Sequence, residues 1–504
     1  MELRYPVTDL RRYKGIFLFL LCLFVVTNAV AQEPSRAVAD GISAFERGEK
    51  SRAKQFFQQA LKIDRRNVDA HTYLGMIAAD ANELQEAERH FAAAASLAPS
   101  EPSTRNNYGA ILMRLGRTAQ ARIEFEASLK LNPTQPSALT NLAQIYFDRG
   151  QPDDLRMARS LLERAAKNSS DAQISRALVV TRLKLGQALI EKGLFDEAIA
   201  ELHDALASDP TNADAIVSLA RAQMLKKDLR AAGRTLETAV ASGLDSAKIY
   251  AALAEVYEAD GHFENAIPAM RPAVSRDPRN EIYHFRYGLL LTDSHAPGAG
   301  IVRLQEALKQ FPNSARLWLG LGIAQLVYGQ NAEAENSFKQ SLAVDPKLIP
   351  ALAYLGVIYT ERGLYDQSIG FYEQAIALNG QLAGLYYLAA DTMLKRSQTD
   401  TTRAEKYLKR ATELDPALAG AYLAWGRLYV RNNGYSEAAQ LFQRAVSLQP
   451  ELLEAHYQLS RVLLRLKRTE EANRELEIFK QLSEKQKAEN EPREIARRLA
   501  NVRF

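Results

Sequence analysis

Proline recurs at a fixed phase along this chain: Pro99 and Pro133 lie 34 residues apart, as do Pro278 and Pro312, Pro312 and Pro346, and Pro416 and Pro450. A period this short, with a small residue midway, restricts the chain to helix-turn-helix units. Each unit is too small to enclose a core and buries its apolar faces only by stacking on its neighbours. Chains of this kind usually bind and rarely catalyse.

The window from Arg316 to Pro346 carries the whole pattern: Trp318, Leu321-Gly322, Gly329, Ala334, Phe338, Ser341 and Asp345-Pro346. Trp318 and Leu321 fall on one face of a first helix and Ala334, Phe338 and Ser341 on one face of a second, because residues three and four apart are helical neighbours. Gly322 and Ala334 mark the close approach of the two helices, Gly329 ends the first, and Pro346 stops the second. The slots recur in Leu74-Gly75, Ala87, Phe91, Ala94 and Pro99 and in Leu355-Gly356, Tyr359 and Ala375, and the turn string recurs in Gly193 to Ala198, Gly261 to Ala266 and Gly363 to Asp366. These motifs resemble the tetratricopeptide repeat family. The register gives thirteen units, beginning near Pro34, Val68, Pro102, Pro136, Val179, Ala213, Ala247, Glu281, Ala315, Ile349, Ala383, Ala419 and Leu453. The expected fold is all-α, and the resemblance implies a right-handed superhelical solenoid.

A chain of 504 residues would ordinarily be divided into several domains. A solenoid has no central core to outgrow, so one elongated array over residues 32–486 is expected instead. Three irregularities, at 150–178, 294–300 and 396–402, read as loop insertions or altered turns, because compact domains begin at about 50 residues. Residues 487–504, with Arg493, Arg497, Arg498 and Arg503, read as a charged capping helix or tail.

At the N-terminus Arg11, Arg12 and Lys14 precede the apolar run Ile16 to Val26, and Ala29 and Ala31 flank Val30. That order describes a signal peptide over 1–31, and the run is shorter than the ~20 residues that cross a bilayer. The expected mature chain is therefore exported, periplasmic or secreted, with an uncleaved anchor as the alternative. Cys22 is the sole cysteine and lies in this leader, so cleavage leaves no thiol for disulfides or thiolate metal sites.

Lys and Arg number 64 against 60 Asp and Glu. Both signs alternate along the helix faces, so no basic stripe points to nucleic acid. Three of the seven histidines, His71, His284 and His456, occupy the slot of Trp318 and read as packing substitutes. No His-Glu-x-x-His pair, phosphate loop or Gly-x-Ser-x-Gly elbow occurs. Gly320-Leu321-Gly322 lies inside a helix, and Asp153-Asp154 reads as a cap. No catalytic residue, metal site or cofactor is expected.

The family resemblance implies that first helices line a concave groove. In this register the second, fifth, ninth and twelfth slots point into it, and the candidate partner-binding residues are Phe45, Met76, Met113, Phe147, Phe285, Tyr387 and Tyr457, with Met224 and Leu289 beside them. Ordinary packing between repeats is the competing account of these apolar side chains. Arg427 and Arg461 share the ninth slot in neighbouring units, with Asp391 one unit earlier; they form either an anion-binding ladder beside tyrosines or a set of ion pairs between repeats. Asn107 and Asn141 fill the slot that the O-linked glycosyltransferases use for a peptide-binding ladder, which stops at Lys184 and Ser218. The chaperone-binding carboxylate clamp of the family is absent. The reading is an exported, non-catalytic scaffold that binds proteins or peptides in its groove, in envelope assembly, secretion or exopolysaccharide export. The alternative is a binding module for an anionic polysaccharide or peptidoglycan fragment.

Overall fold

A computed structural model of the protein describes residues 32–294, 296–396 and 401–488. The leader with Cys22, His295 and the arginine-rich end after Pro492 lie outside the described residues. Among those described, every regular element is an α-helix and none is long and apolar enough to cross a membrane. The helices fall into antiparallel pairs, the solenoid architecture that the repeat pattern calls for.

Two compact units divide the chain. The first, to Leu244, holds α1 (Gln32–Glu46), α2 (Lys50–Ile63), α3 (Val68–Asp80), α4 (Leu84–Leu97), α5 (Pro102–Arg114), α6 (Thr118–Leu131), α7 (Pro136–Arg149), α8 (Pro152–Lys167), α9 (Ala172–Glu191), α10 (Phe195–Ser208), α11 (Ala213–Leu225) and α12 (Leu229–Ala241). The second, from Asp245, holds α13 (Ala247–Ala259), α14 (Phe263–Arg276), α15 (Glu281–Asp293), α16 (Pro297–Gln310), α17 (Ala315–Tyr328), α18 (Asn331–Val344), α19 (Ile349–Glu361), α20 (Tyr365–Leu378), α21 (Ala383–Arg396), α22 (Thr401–Leu414), α23 (Ala419–Arg431), α24 (Tyr435–Leu448), α25 (Leu453–Arg465) and α26 (Thr469–Ala488). Within each unit, odd-numbered helices pack on the even-numbered helix that follows, and that helix packs on the next pair. Successive first helices also touch, as α5 does α7, and α15 does α17.

Three local devices recur among the pairs. The first is a turn residue in the left-handed region, which lets the chain reverse between paired helices. Gly329 (φ 90°) supplies it after α17, and Asn82 (φ 61°) and Lys227 (φ 67°) supply it elsewhere at the cost of a Cβ clash. The second is a close approach. A Cβ built on Gly75 would stand 2.8 Å from the Phe91 ring, on Gly109 2.7 Å from Phe125, on Gly322 2.5 Å from Phe338, and on Gly426 2.4 Å from Phe442. Those rings are all but fully buried. Where the slot holds Ala220, the residue sixteen on is Leu236, a smaller side chain without a ring.

The third device is a hydrogen bond from the fourth slot of the first helix to the carbonyl six residues upstream. Trp318 Nε1 donates to Pro312 O (3.0 Å), Arg105 Nε to Pro99 O (3.0 Å) and Tyr422 Oη to Pro416 O (3.3 Å). His71, His284 and His456 place Nε2 on the equivalent carbonyls of Arg65, Pro278 and Pro450 at 3.1, 3.0 and 2.9 Å. A carbonyl only accepts, so each of these imidazoles carries its proton on Nε2. The three histidines thus replace tryptophan in function as well as position, each tying the loop between repeats to the following helix.

The insertion across 150–178 takes a form that the sequence does not show. Residues 172–178 are helix, so α9 starts ahead of Val179, capped by Asp171, whose carboxylate accepts from the Gln173 N–H (2.8 Å). Ile174 buries against the core of α7 and α8, and that apolar contact extends the helix. Asp153 and Asp154 stand in the first turn of α8 without capping it, and they pair with Arg156 (2.7 Å) and Arg149 (3.5 Å).

Gly322→Ala is expected to destabilise the second unit by about 1–3 kcal/mol through overpacking against Phe338. Adding Phe338→Leu, the Ala-with-Leu combination present at Ala220 and Leu236, should recover part of that loss; urea unfolding midpoints of the two variants provide the measurement.

Candidate functional site

First helices that touch along one face leave a groove wherever a small residue lets a neighbour's side chain in. In the second unit Gly320 performs this role: a Cβ there would meet the Phe285 ring at 2.9 Å, so only glycine admits Phe285 between α15 and α17. Beside it opens a cavity of ≈ 300 Å3 lined by Glu258 of α13, Ile282, Phe285, Arg286 and Leu289 of α15, and Arg316 of α17. Phe285 and Leu289 are half-buried, and Ile282 is 46% exposed, so the floor presents apolar surface to solvent.

Charges frame this floor unevenly. Arg286 pairs closely with Glu255 and, at 3.0 Å, with Glu258. Burial pushes the Arg286 pKa down, and burial, followed by the charge of Asp293, pushes the Glu258 carboxyl above its usual range. Both shifts show desolvation working against the pair, as it does for ion pairs drawn out of water. Arg316 is held more loosely, 3.6 Å from Glu281, with both side chains substantially exposed. The arrangement offers an apolar cleft with one accessible guanidinium at its rim.

The other sequence candidates fall in several environments. In the first unit Phe45 packs edge-on against Tyr73 (5.2 Å) and Met113 lies half-buried on the α5–α7 core. Met76 corrects the expectation, because at 6% exposure it is part of the core and presents no groove surface. Phe147 is covered: Lys184 Nζ sits 4.0 Å from its ring centre and donates to its carbonyl (2.9 Å). The asparagine ladder is also corrected. Buried Asn141 donates to Asn106 Oδ1 (3.1 Å), while Asn107 turns aside, because the fifth slot of one repeat, not the sixth, faces the sixth slot of the next.

In the second unit Tyr387 rests against the backbone of Gly420, where a Cβ would stand 3.0 Å away. Arg427 bonds Glu454 at 2.8 Å and Asp391 more closely, and Lys395 reaches the same Asp391 at 3.0 Å. Burial works against the Arg427 charge, but Asp391 and Glu454 outweigh it and raise its pKa. The ion-pair account of this cluster therefore fits Arg427. Arg461 differs: it is exposed and lies over the Tyr457 ring (5.5 Å), which is 39% exposed and packs on Phe479. Among the described residues no group of three or more His, Cys, Asp or Glu side chains is gathered as a metal site.

Phe285 and Leu289 are the residues of the cavity that apolarity identified in the sequence. Ile282 and Arg316 share a second slot and Glu258 holds a twelfth, so the register could have marked all three. Arg286 falls outside the groove slots and had no signal.

Stacked helix pairs that bury their apolar faces on one another define a helical repeat protein. Models of the tetratricopeptide repeat match residues 38–102, 102–135, 124–156, 189–256, 247–280, 290–355, 351–385 and 423–477. The chain belongs to the tetratricopeptide repeat family. It is 24% identical over 178 residues to anaphase-promoting complex subunit 3 of Schizosaccharomyces pombe, covering 35% of this chain and 26% of that protein. It is 23% identical over 193 residues to the peroxisomal targeting signal receptor of Eremothecium gossypii, covering 36% and 33%. A human protein O-mannosyl-transferase is 25% identical over 133 residues, 26% of this chain and 15% of that one. The chain thus spans a third or less of the length of these relatives. Among solved structures, the APC/C hetero-tetramer Cut9-Hcn1 is similar over 94% of both chains at 16% identity (TM-score 0.38), and Naa15/Naa10 bound to HypK-THB over 88% of this chain and 68% of that one at 18% identity (TM-score 0.42).

Glu258 binds its proton more tightly in the native state than in the unfolded chain, because its pKa is raised from 4.5. The stability that this contributes is complete below that value and is lost as pH rises through the raised one. Glu258→Gln removes this dependence, so the urea midpoint of the variant relative to the parent should climb as pH rises above 4.5 through the raised value.

Proposed function

We propose that this protein is a non-catalytic scaffold that holds partner proteins or peptides along its first helices, exported by its leader and acting in envelope assembly, secretion or exopolysaccharide export. The observation that carries the binding role is the cleft of Ile282, Phe285 and Leu289, an apolar floor open to solvent on a rigid stack of helices. Its size suits one large apolar side chain, and the loosely held Arg316 suits a carboxylate beside that side chain, since guanidinium and carboxylate pair bidentately. The partner segment we infer is an extended or helical stretch with Leu, Phe or Met next to Asp or Glu.

The family and the relatives support the coarse reading: one relative is named as a subunit of a complex and another as a receptor for a targeting signal. The exported setting rests on the leader sequence Arg11 to Ala31. A second reading, binding of an anionic polysaccharide or peptidoglycan fragment, draws on the exposed Arg461 over Tyr457, since Arg427 is engaged by Asp391 and Glu454.

Crosslinking of the tagged chain in its native exported fraction, followed by mass spectrometry, tests both readings. Specific proteins should be recovered, and Phe285→Glu should release them with little dependence on salt; partners retained by that variant would overturn the cleft. Binding of an anionic glycan that weakens with salt and disappears in Arg461→Ala would move the reading to the second alternative.

A further inference from the structure

The fourth slot of a first helix faces the twenty-third slot on the second helix, and in three repeats the pair is a base with an acid, Arg182 with Glu201 among them. Arg105 meets Glu124 at 3.1 Å and His456 Nδ1 meets Glu475 Oε2 at 2.6 Å. In the repeat of α3 and α4 the acid is replaced by a second base: His71 Nδ1 lies 3.0 Å from His90 Nδ1, with ring centres 5.3 Å apart. The two imidazoles are part-buried, and His71 Nε2 is already committed to the Arg65 carbonyl at 3.1 Å. Neutral His71 therefore presents only a lone pair at Nδ1, and the contact holds only if His90 supplies the proton that both nitrogens share.

We propose that His71 and His90 form a binding site for a borderline divalent transition cation such as Zn2+, coordinated by both Nδ1 atoms with water completing the sphere. Imidazole nitrogen selects this class of cation over Mg2+ or Ca2+. Two nitrogens each about 2.0–2.1 Å from a tetrahedral zinc stand about 3.3 Å apart, so the observed separation needs to open by a few tenths of an ångström. The far side of the His71 ring matches how metal-bound imidazoles are held, with Nε2 donating to the Arg65 carbonyl. For His90 the nearest carboxylate is Glu86, whose Oε1 lies 3.8 Å from Nε2 and must close by several tenths of an ångström to accept from it.

Cation binding moves the His90 proton from Nδ1 to Nε2, toward Glu86, and frees the second lone pair without changing the charge of the pair. Burial, and then the neighbouring His71, hold His90 below the usual imidazole range, which keeps it neutral and able to ligate. The surrounding cations, Lys54 and Arg89, oppose the metal but are paired with Glu83 (3.4 Å) and Glu86 (3.1 Å).

The test is calorimetric titration of the full chain, free of any histidine tag and stripped of metal, with ZnCl2. One equivalent per chain should bind. His71→Trp, which keeps the carbonyl bond in the manner of Trp318 and so preserves the fold, should abolish that equivalent, and so should His90→Gln. Glu86→Gln should weaken it about tenfold or more. His262 lies with Asp260 and Glu264 in an exposed turn and provides the control, since His262→Asn should leave the equivalent in place. No uptake, unchanged uptake in His71→Trp with a native circular dichroism spectrum, or loss of uptake in His262→Asn alone would each overturn the proposal.

Discussion

Everything in this architecture depends on how closely two paired helices approach. A helix pair of about thirty residues cannot surround a core, so its stability comes from one or two side chains driven fully between the helices. The ring of Phe338 over Gly322 illustrates the constraint: burying such a ring contributes roughly 1.5–3 kcal/mol, and the burial is complete only because no Cβ stands in the way. The same approach recurs at Gly75, Gly109 and Gly426, each against a phenylalanine sixteen residues on. Where the slot holds Ala220, leucine stands opposite, and where it holds Ala254, methionine does. Glycine also admits leucine at this approach, Leu202 over Gly186 and Leu304 over Gly288, so the close contact and not the ring is the common feature.

Much of this was legible in the sequence because the constraint is local. Gly322, Ala334 and Phe338 fall within one repeat, so a fixed spacing records their contact and the periodicity locates nearly all the helices. Where the chain breaks the period, spacing records nothing. The residues ahead of Val179 read as loop because they are surplus to the repeat, yet Ile174 finds an apolar core to bury against and Asp171 caps the result, so they become the first turns of α9. Tertiary burial overrode the local count.

The groove was legible in outline and less so in detail, for a related reason. Slots give the direction in which a side chain points but not what the adjacent repeat places over it. Met76 and Phe147 occupy proper groove slots, yet one is packed into the core and the other lies beneath Lys184. Among the described residues Phe285 has no cation over its ring; its neighbour in the next repeat is Gly320, which gives the ring a seat beside half-buried Leu289 and exposed Ile282. Exposure at a groove slot is thus set by pairs of residues 35 apart, here Phe285 and Gly320, and not by either alone.

The same pairwise logic separates support from recognition among the charged residues. Arg427 lies between Asp391 and Glu454, three repeats joined through one guanidinium, and that charge is anchored because releasing it would take the closer of its cations from buried Asp391, which Lys395 also reaches. Arg316 and Arg461 are held by fewer and looser contacts, one near Glu281 and the other over Tyr457. A partner's carboxylate can therefore be met by Arg316 or Arg461 without first breaking a buried network, and of the two only Arg316 stands beside an apolar cleft. That difference in what must be given up on binding, more than the number of arginines on a face, is the reason the proposed partner site is set at the Phe285 cleft.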